Sequence, residues 1–290
     1  LISSRIKCIK QCLKSLWDNY NCKYDYPIFV HYFDDIYDSK KFQNSIKSIT
    51  SQNVSFISVP YSTPKFLKES ELYYNRNELW YVKKSFSITR KGYLHMCNFT
   101  SNMYGYQNTQ LEDYDVVITH DDESGYNKIL PYDPVEVILK TDCDFGAYSY
   151  NTRLKNGEPH QGHLDTRINL FQHLVSFIEK YRIVPKSTHL NNVLSKKNPE
   201  FNFHKLKWAD TYVIKTKMFK SDSWEIWINS INDSGGIYKY RWGDNEIYSL
   251  YAHLFVGDIY NFKTVKEGYH NQGKFRNLCN IAPNVKDIAI

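Results

Sequence analysis

An α/β fold is what this sequence predicts, and three observations predict it. Helix-period and strand-like segments alternate from the start, a short apolar strand runs straight into a cluster of acids, and the composition is that of an ordinary globular protein. The 290 residues are 42% hydrophobic and 23% charged, which excludes collagenous, mucin-like and intrinsically disordered classes. A chain this long buries about three quarters of its unfolded surface, so it needs neither disulfides nor a structural metal to be stable. No Pro-, Gly- or Ser-rich linker divides it and no repeat is visible. One domain over residues 1–290 is expected.

The first element is a helix over 5–20, where Ile9, Cys12, Leu13, Leu16, Trp17 and Tyr20 share one face and Lys7, Lys10, Lys14 and Asp18 the other. That places Cys12 in the core and Cys8 at the surface. Cys8, Cys12, Cys22 and His31 have the ligand types of a zinc site, but their spacing matches no standard pattern. The helix leads into the strand-like run Tyr26 to Phe33, ended by Asp34 and Asp35, and a second strand, Val54 to Val59, stops at Pro60. Residues 65–110 read as mostly helical. Next comes the buried strand Tyr114 to Thr119, directly followed by His120-Asp121-Asp122-Glu123. Further strands are expected at Val135–Leu139 and Phe145–Tyr150, an amphipathic helix over 164–182 (Ile168, Phe171, Leu174, Val175, Ile178), and a loop or lid over the polar stretch 186–203.

Twenty-five tyrosines against 12 glycines, and a net charge of +6, are the compositional oddities. Tyrosine offers a flat apolar face and a hydroxyl suited to sugars and nucleotides, while an AT-rich genome would raise Tyr, Asn, Lys and Ile together. The positive balance favours a phosphate-bearing partner. Without a basic run or a nucleic-acid module, a DNA or RNA binder is not expected. No 18-residue apolar segment is present to span a membrane. An opening on Leu1 rather than Met is what an excised piece that has lost an anchor or leader would show.

Three segments can carry chemistry. Acids at i and i+2 after a strand can hold one hard divalent ion that bridges nucleotide phosphates, and in open α/β sheets ligands bind beyond the carboxyl ends of strands; three acids also suit a solvated turn. In Gly235 to Asp244, Arg241, Trp242 and Asp244 could present an indole to a sugar face and a carboxylate to its hydroxyls. Equally, Asp244 could cap a helix with Trp242 as its hydrophobic staple. In Gly268-Tyr269-His270-Asn271, His270 could ligate the same ion or be structural.

Together these segments resemble the fungal α-1,2-mannosyltransferase family, glycosyltransferase family 15. Lys23-Tyr24-Asp25-Tyr26-Pro27 is similar to that family's basic-Tyr-x-Tyr segment, and Gly92 to Phe99 (Gly-Tyr-Leu-His-Met-Cys-Asn-Phe) to its Tyr-Arg-His-Met-Cys-Arg-Phe. Arg241-Trp242-Gly243-Asp244 matches Arg-Trp-Gly-Asp, with Ser249 five positions on, and Gly268-Tyr269-His270 matches the start of Gly-Tyr-His-His. The resemblance implies a GT-A-like, Rossmann-type fold with a mixed central sheet flanked by helices, the N-terminal half binding the nucleotide sugar and the C-terminal half mainly the acceptor. It further implies a retaining enzyme that moves mannose from GDP-mannose, held through Mn²⁺, to a glycan hydroxyl. Asp121, Glu123 and His270 would be the metal ligands. Tyr93 falls at the family's sugar-site tyrosine, with Trp208, Arg241, Trp242 and Asp244 on the substrate side.

This chain also departs from the family. The glutamate four residues after a tryptophan, close to the anomeric carbon in the family, corresponds to Tyr212, counted from Trp208, and the intervening Asn to Asp210. Either Asp210 takes the anionic role, or the leaving diphosphate itself deprotonates the acceptor, or the chain is an inactive relative. The family's Arg-Asn-Ser segment near the nucleotide has no clear counterpart, its arginine role passing to Arg5 or being lost with part of the first strand. A UDP-hexose donor and a sugar- or nucleotide-binding protein without turnover are the alternatives to GDP-mannose transfer. Sequons at Asn53, Asn98 and Asn232 would allow glycosylation in a secretory, Golgi-like lumen; a viral or cytoplasmic enzyme is the other expectation.

Overall fold

The computed structural model describes residues 6–33, 39–48, 53–59, 62–83, 91–102, 109–122, 124–150, 164–197, 199, 208–257, 259–262 and 269–270. Helix α1 (Ile6–Asn19) buries Cys8, Ile9, Cys12 and Leu13, so Cys8 belongs to the core and not to the surface. The strand β1 (Ile28–Phe33) and β2 (Val54–Val59) pair in parallel, with Ile28 opposite Val54, around the intervening helix α2 (Ser39–Lys47). Ile9, Leu13, Val30, Phe42 and Ile46 close a small core between these four elements.

A second sheet has the order β3 (Val116–His120), β6 (Trp208–Lys215), β5 (Phe145–Tyr150), β7 (Tyr260–Asn261). Strand β6 runs antiparallel to both β3 and β5, and β5 parallel to β7. Successive side chains of β6 leave opposite faces: Tyr212 and Ile214 join the main core, and Val213 joins a second one with Tyr126, Tyr148 and Phe262. Helices therefore cover both faces. The main core is built on α4 (Lys91–Asn102), α6 (Leu170–Tyr181), α8 (Asp222–Ser234), α9 (Gly236–Tyr240) and α10 (Asp244–Tyr251). The expected mixed α/β arrangement, sheets flanked by helices, is present. A third, short pair joins β4 (Gly125–Tyr126) to β8 (Tyr269–His270), antiparallel.

Three local expectations change. Val135–Leu139 is not a strand but α5 (Pro134–Leu139): Pro134 stands at its first position, and the Asp133 carboxylate accepts from the Val135 N–H at 3.0 Å. Cap and proline preset the first turn, and only one stripe is buried, Ile138 at 0% exposure against 50% for Leu139. Within 186–203, Ser187 caps α7 (Thr188–Leu194), which buries Leu190 and Val193. Among the described residues, 65–110 are helical in pieces: 3₁₀ turns at 69–71 and 73–75, the single turn α3 (Trp80–Lys83), α4, and the start of a further 3₁₀ turn at Thr109–Leu111.

Candidate active site

Where β3 ends, the chain folds into a turn on the Asp121 carbonyl. Ser124 donates to it from both its N–H (3.1 Å) and its hydroxyl (3.0 Å), and His120 Nδ1 lies 3.1 Å away. His120 is enclosed by Cys12 (Sγ 3.7 Å from Nδ1) and Tyr126. Burial lowers its pKa to about 4, so the imidazole is neutral at pH 7. The turn brings half-buried Asp121 to the wall of a cleft of about 340 Å³.

This cleft lies between β1 and β3. Ile28, Phe29 and His31 line it from β1, Val116 to His120 from β3, and α1, α4 and α5 add apolar side chains such as Leu16, Met96 and Val135. Among the described residues β1 pairs only with β2 and β3 only with β6. Its length is therefore largely apolar, and its acids, Asp115 apart, sit where β3 ends: Asp121 and Asp244, with Tyr212 alongside.

Asp244 is the first residue of α10, after Gly243 in the cap position, so it does not cap the helix itself. Burial, then the charge of Asp121, then that of Glu246, raise its pKa to about 7. Two acids far apart in sequence thus meet in one cleft, where the charge of Asp121 disfavours the ionisation of Asp244. Arg241, in the left-handed region with φ 57°, lays its guanidinium over Tyr93 (4.6 Å) and Tyr81 (5.7 Å). Burial pushes the Tyr93 hydroxyl well above its usual value, and Arg241, Asp244 and Asp121 are all among the charges it feels. Tyr93, Arg241, Asp244 and Asp121 are therefore one cluster.

Tyr212 is 3% exposed. Its N–H donates to Thr119 Oγ1 at 3.0 Å and its hydroxyl to Asn245 Oδ1, joining β6 to the start of α10. Trp242 departs from its expected stacking role. At 1% exposure, with Nε1 donating to the Ile168 carbonyl at 2.9 Å and its ring against Gly236, the indole is a core anchor with no face for a sugar. Trp208 and Asp210 lie on β6, where the ladder shifts. Ala147 pairs with Tyr212 and Ser149 with Ala209, so two steps on β5 match three on β6. That extra residue is a bulge at Asp210–Thr211, which interrupts the alternation of side chains across the sheet.

Arg5 and Glu123 lie outside the described residues. The His270 backbone does lie within them: β8 pairs it with Gly125, four residues beyond Asp121. Among the described residues no three metal-ligating side chains converge. Asp121 nevertheless supplies a hard carboxylate in a cleft whose two acids repel, and the β4–β8 ladder returns a histidine beside that loop. A carboxylate oxygen of this kind suits a hard divalent cation of the Mn²⁺ type.

Sequence reasoning missed the buried pair Arg167–Glu246 (Nε to Oε1 3.1 Å) and the partnership of Tyr212 with Asn245. The former joins residues 79 apart and the latter 33 apart, and no local pattern signals either.

The chain is 22% identical over 282 residues to alpha-1,2 mannosyltransferase KTR1 of Saccharomyces cerevisiae, covering 91% of this chain and 64% of that protein. Its structure is similar to that of core-mannan synthase A from Aspergillus fumigatus in an Mn/GDP form (TM-score 0.72, 14% identity, 93% of this chain and 73% of the other). It is equally similar to the mannosyltransferase Ktr4p of S. cerevisiae in complex with GDP (TM-score 0.72, 19% identity, 93% and 69%). The GT-A-like fold implied by the motifs is the fold of these structures. The chain spans 58 to 64% of the length of the curated relatives it matches first. The family model described as glycolipid 2-alpha-mannosyltransferase matches residues 2–283, almost the whole chain, and the chain belongs to that family, glycosyltransferase family 15.

Proposed function

We propose that this chain carries the catalytic machinery of a retaining, divalent-metal-dependent mannosyltransferase that moves mannose from GDP-mannose to a hydroxyl of a glycan acceptor. The observation that carries this reading is the meeting of Asp121 and Asp244 in one cleft where β3 ends, with the Arg241–Tyr93 pair within the electrostatic reach of both acids and β8 returning His270 beside the same loop. The structural neighbours were solved with Mn and GDP or with GDP, which supports the donor and the metal.

Asp121 and His270, with Glu123, would hold the ion. When bound, the ion supplies positive charge against the departing diphosphate. The chain's own residues do the rest. Arg241, fixed between two tyrosine rings, holds its charge close to the same group. Asp244, as the carboxylate, accepts a hydrogen bond from an acceptor hydroxyl and orients it. The new bond joins the acceptor oxygen to the anomeric carbon as the bond from that carbon to the diphosphate oxygen breaks, and the acceptor proton passes to the released diphosphate on the same face. Tyr212, engaged as a donor to Asn245, needs no nucleophilic role in this sequence. Holding the hydroxyl at the anomeric carbon supplies much of the rate.

A secretory-lumen location goes with this reading. Asn53, just ahead of β2, is exposed, while Asn98 and Asn232 lie in α4 and α8, where Asn232 donates to Asn102 Oδ1 at 2.7 Å. The competing reading is a nucleotide-sugar binder without turnover, favoured by a phenol at the family's glutamate position. Transfer of radiolabelled mannose from GDP-mannose to methyl α-mannoside separates the two. Asp121→Ala is expected to lower turnover by about 100-fold or more and to abolish the Mn²⁺-dependent part of GDP binding in calorimetry. Intact turnover in that variant, or tighter binding of UDP than of GDP, overturns the assignment.

A further inference from the structure

The turn that precedes α6 grips the Arg241–Glu246 segment at two points and braces it at a third through α3. Ile168 accepts from Trp242 Nε1 at 2.9 Å, two residues before Asp244. Arg167 Nε donates to Glu246 Oε1 at 3.1 Å, two residues after it. Asp165 Oδ2 accepts from the Trp80 N–H at 2.7 Å and so holds α3, whose Tyr81 ring lies on Arg241. Asp244 is thus pinned on both sides by adjacent residues of one turn.

Both side chains of the Arg167–Glu246 pair are only 4% exposed. Taking two charges out of water is costly, and an apolar pair of similar volume would stabilise a fold as well or better. The pair makes physical sense as a device for placement. A planar guanidinium meets a carboxylate in few orientations, and the Glu246 carboxylate is itself pressed against Gly243, the cap residue before Asp244: a Cβ on Gly243 would stand 2.6 Å from Glu246 Oε2. Glycine there lets the glutamate curl over the helix start while Arg167 holds it from the far side.

From this geometry we infer that Arg167 and Glu246 are positioning residues of the transfer reaction. They fix the start of α10 so that Asp244 stands in the cleft opposite Asp121. The inference rests on Asp244 being the acceptor-side acid, and it assigns the pair no contact with substrate.

The test is a double-mutant cycle between replacement of the pair, Arg167→Met with Glu246→Leu, and Asp244→Asn, in the chain as it stands. GDP-mannose serves as donor and methyl α-mannoside as acceptor. The apolar pair is expected to keep the thermal midpoint and the Mn²⁺-dependent affinity for GDP. It should lower kcat about 10- to 100-fold and raise the acceptor KM. Adding Asp244→Asn to it should then cost little more, because the misplaced carboxylate is already idle. If the apolar pair does not fold, Glu246→Gln keeps the hydrogen bond and the shape, and is expected to show the same split with a smaller loss. Full kcat in a folded pair-replaced or Glu246→Gln variant overturns the inference, as does an Asp244→Asn penalty that is equal with and without the pair. An Asp244→Asn variant with unchanged turnover overturns the reading of the site, and the inference with it. Loss in Asp244→Asn with strict additivity overturns the inference alone.

Discussion

At the scale of single residues, two carboxylates show how placement sets chemistry. Asp244 holds its proton up to about pH 7 in the folded chain, against an ordinary value near 4 when unfolded. Between those values the native state binds more protons than the unfolded one, so this residue's contribution to stability is full below about pH 4 and is lost as pH rises through 7. Relative to Asp244→Asn, the parent's urea midpoint is therefore expected to fall between pH 5 and pH 8; parallel profiles would show that burial and Asp121 do not act on this group. Asp133 is a satisfied hydrogen-bonding hub. Its carboxylate accepts from the hydroxyls of Tyr20 (2.8 Å) and Tyr26 (2.7 Å) and from the Val135 N–H. Burial and the neighbouring Asp133 push both phenols well above the usual tyrosine range. Asp133→Ala removes a helix cap and leaves hydroxyls without their acceptor, at an expected cost of about 3 kcal/mol, readable in denaturant unfolding.

At the scale of elements, α9 and the loop to α10 show why the Gly235–Asp244 motif has its composition. Gly235 ends α8 with φ 67°, a conformation that costs glycine nothing. Gly236 then lets the backbone touch Trp242: a Cβ there would lie 2.1 Å from the indole. That indole cannot yield, being buried and held by Ile168. Gly236→Ala is expected to destabilise by about 2–3 kcal/mol and to lower turnover, because Arg241 and Asp244 follow directly. A thermal midpoint equal to the parent's would contradict the contact. Element α5 makes a complementary point. Its apolar run fits a strand by composition, yet Asp133 and Pro134 impose a helical first turn, and its place on the sheet surface buries Ile138 and leaves Leu139 in water.

At the scale of the whole molecule, stability is unevenly shared. The four-stranded sheet is covered on both faces by two cores, whereas β1 and β2 form a two-stranded parallel pair on a small core of their own. Native-state hydrogen exchange is expected to be slowest in β5 and β6 and faster in β1 and β2; equal protection would mean that the two sheets open as one unit. The cleft between them takes its polar end from the end of β3, β6 and α10, three elements drawn from distant parts of the chain. Much of this was legible in the sequence. Period and strand-like runs located α1, β1, β2, β3 and β5, and four ordered motifs carried the family. Those signals are local, written in hydrophobic periodicity and in short stretches whose residues act together. The meeting of Asp121 with Asp244, the removal of Trp242 from any ligand-facing role, the bulge at Asp210–Thr211, and the Arg167–Glu246 pair were decided only by tertiary structure. Each depends on which surfaces are excluded from water and which distant groups then share a low-dielectric space, and neither burial nor charge proximity between segments far apart in sequence is encoded in any local pattern.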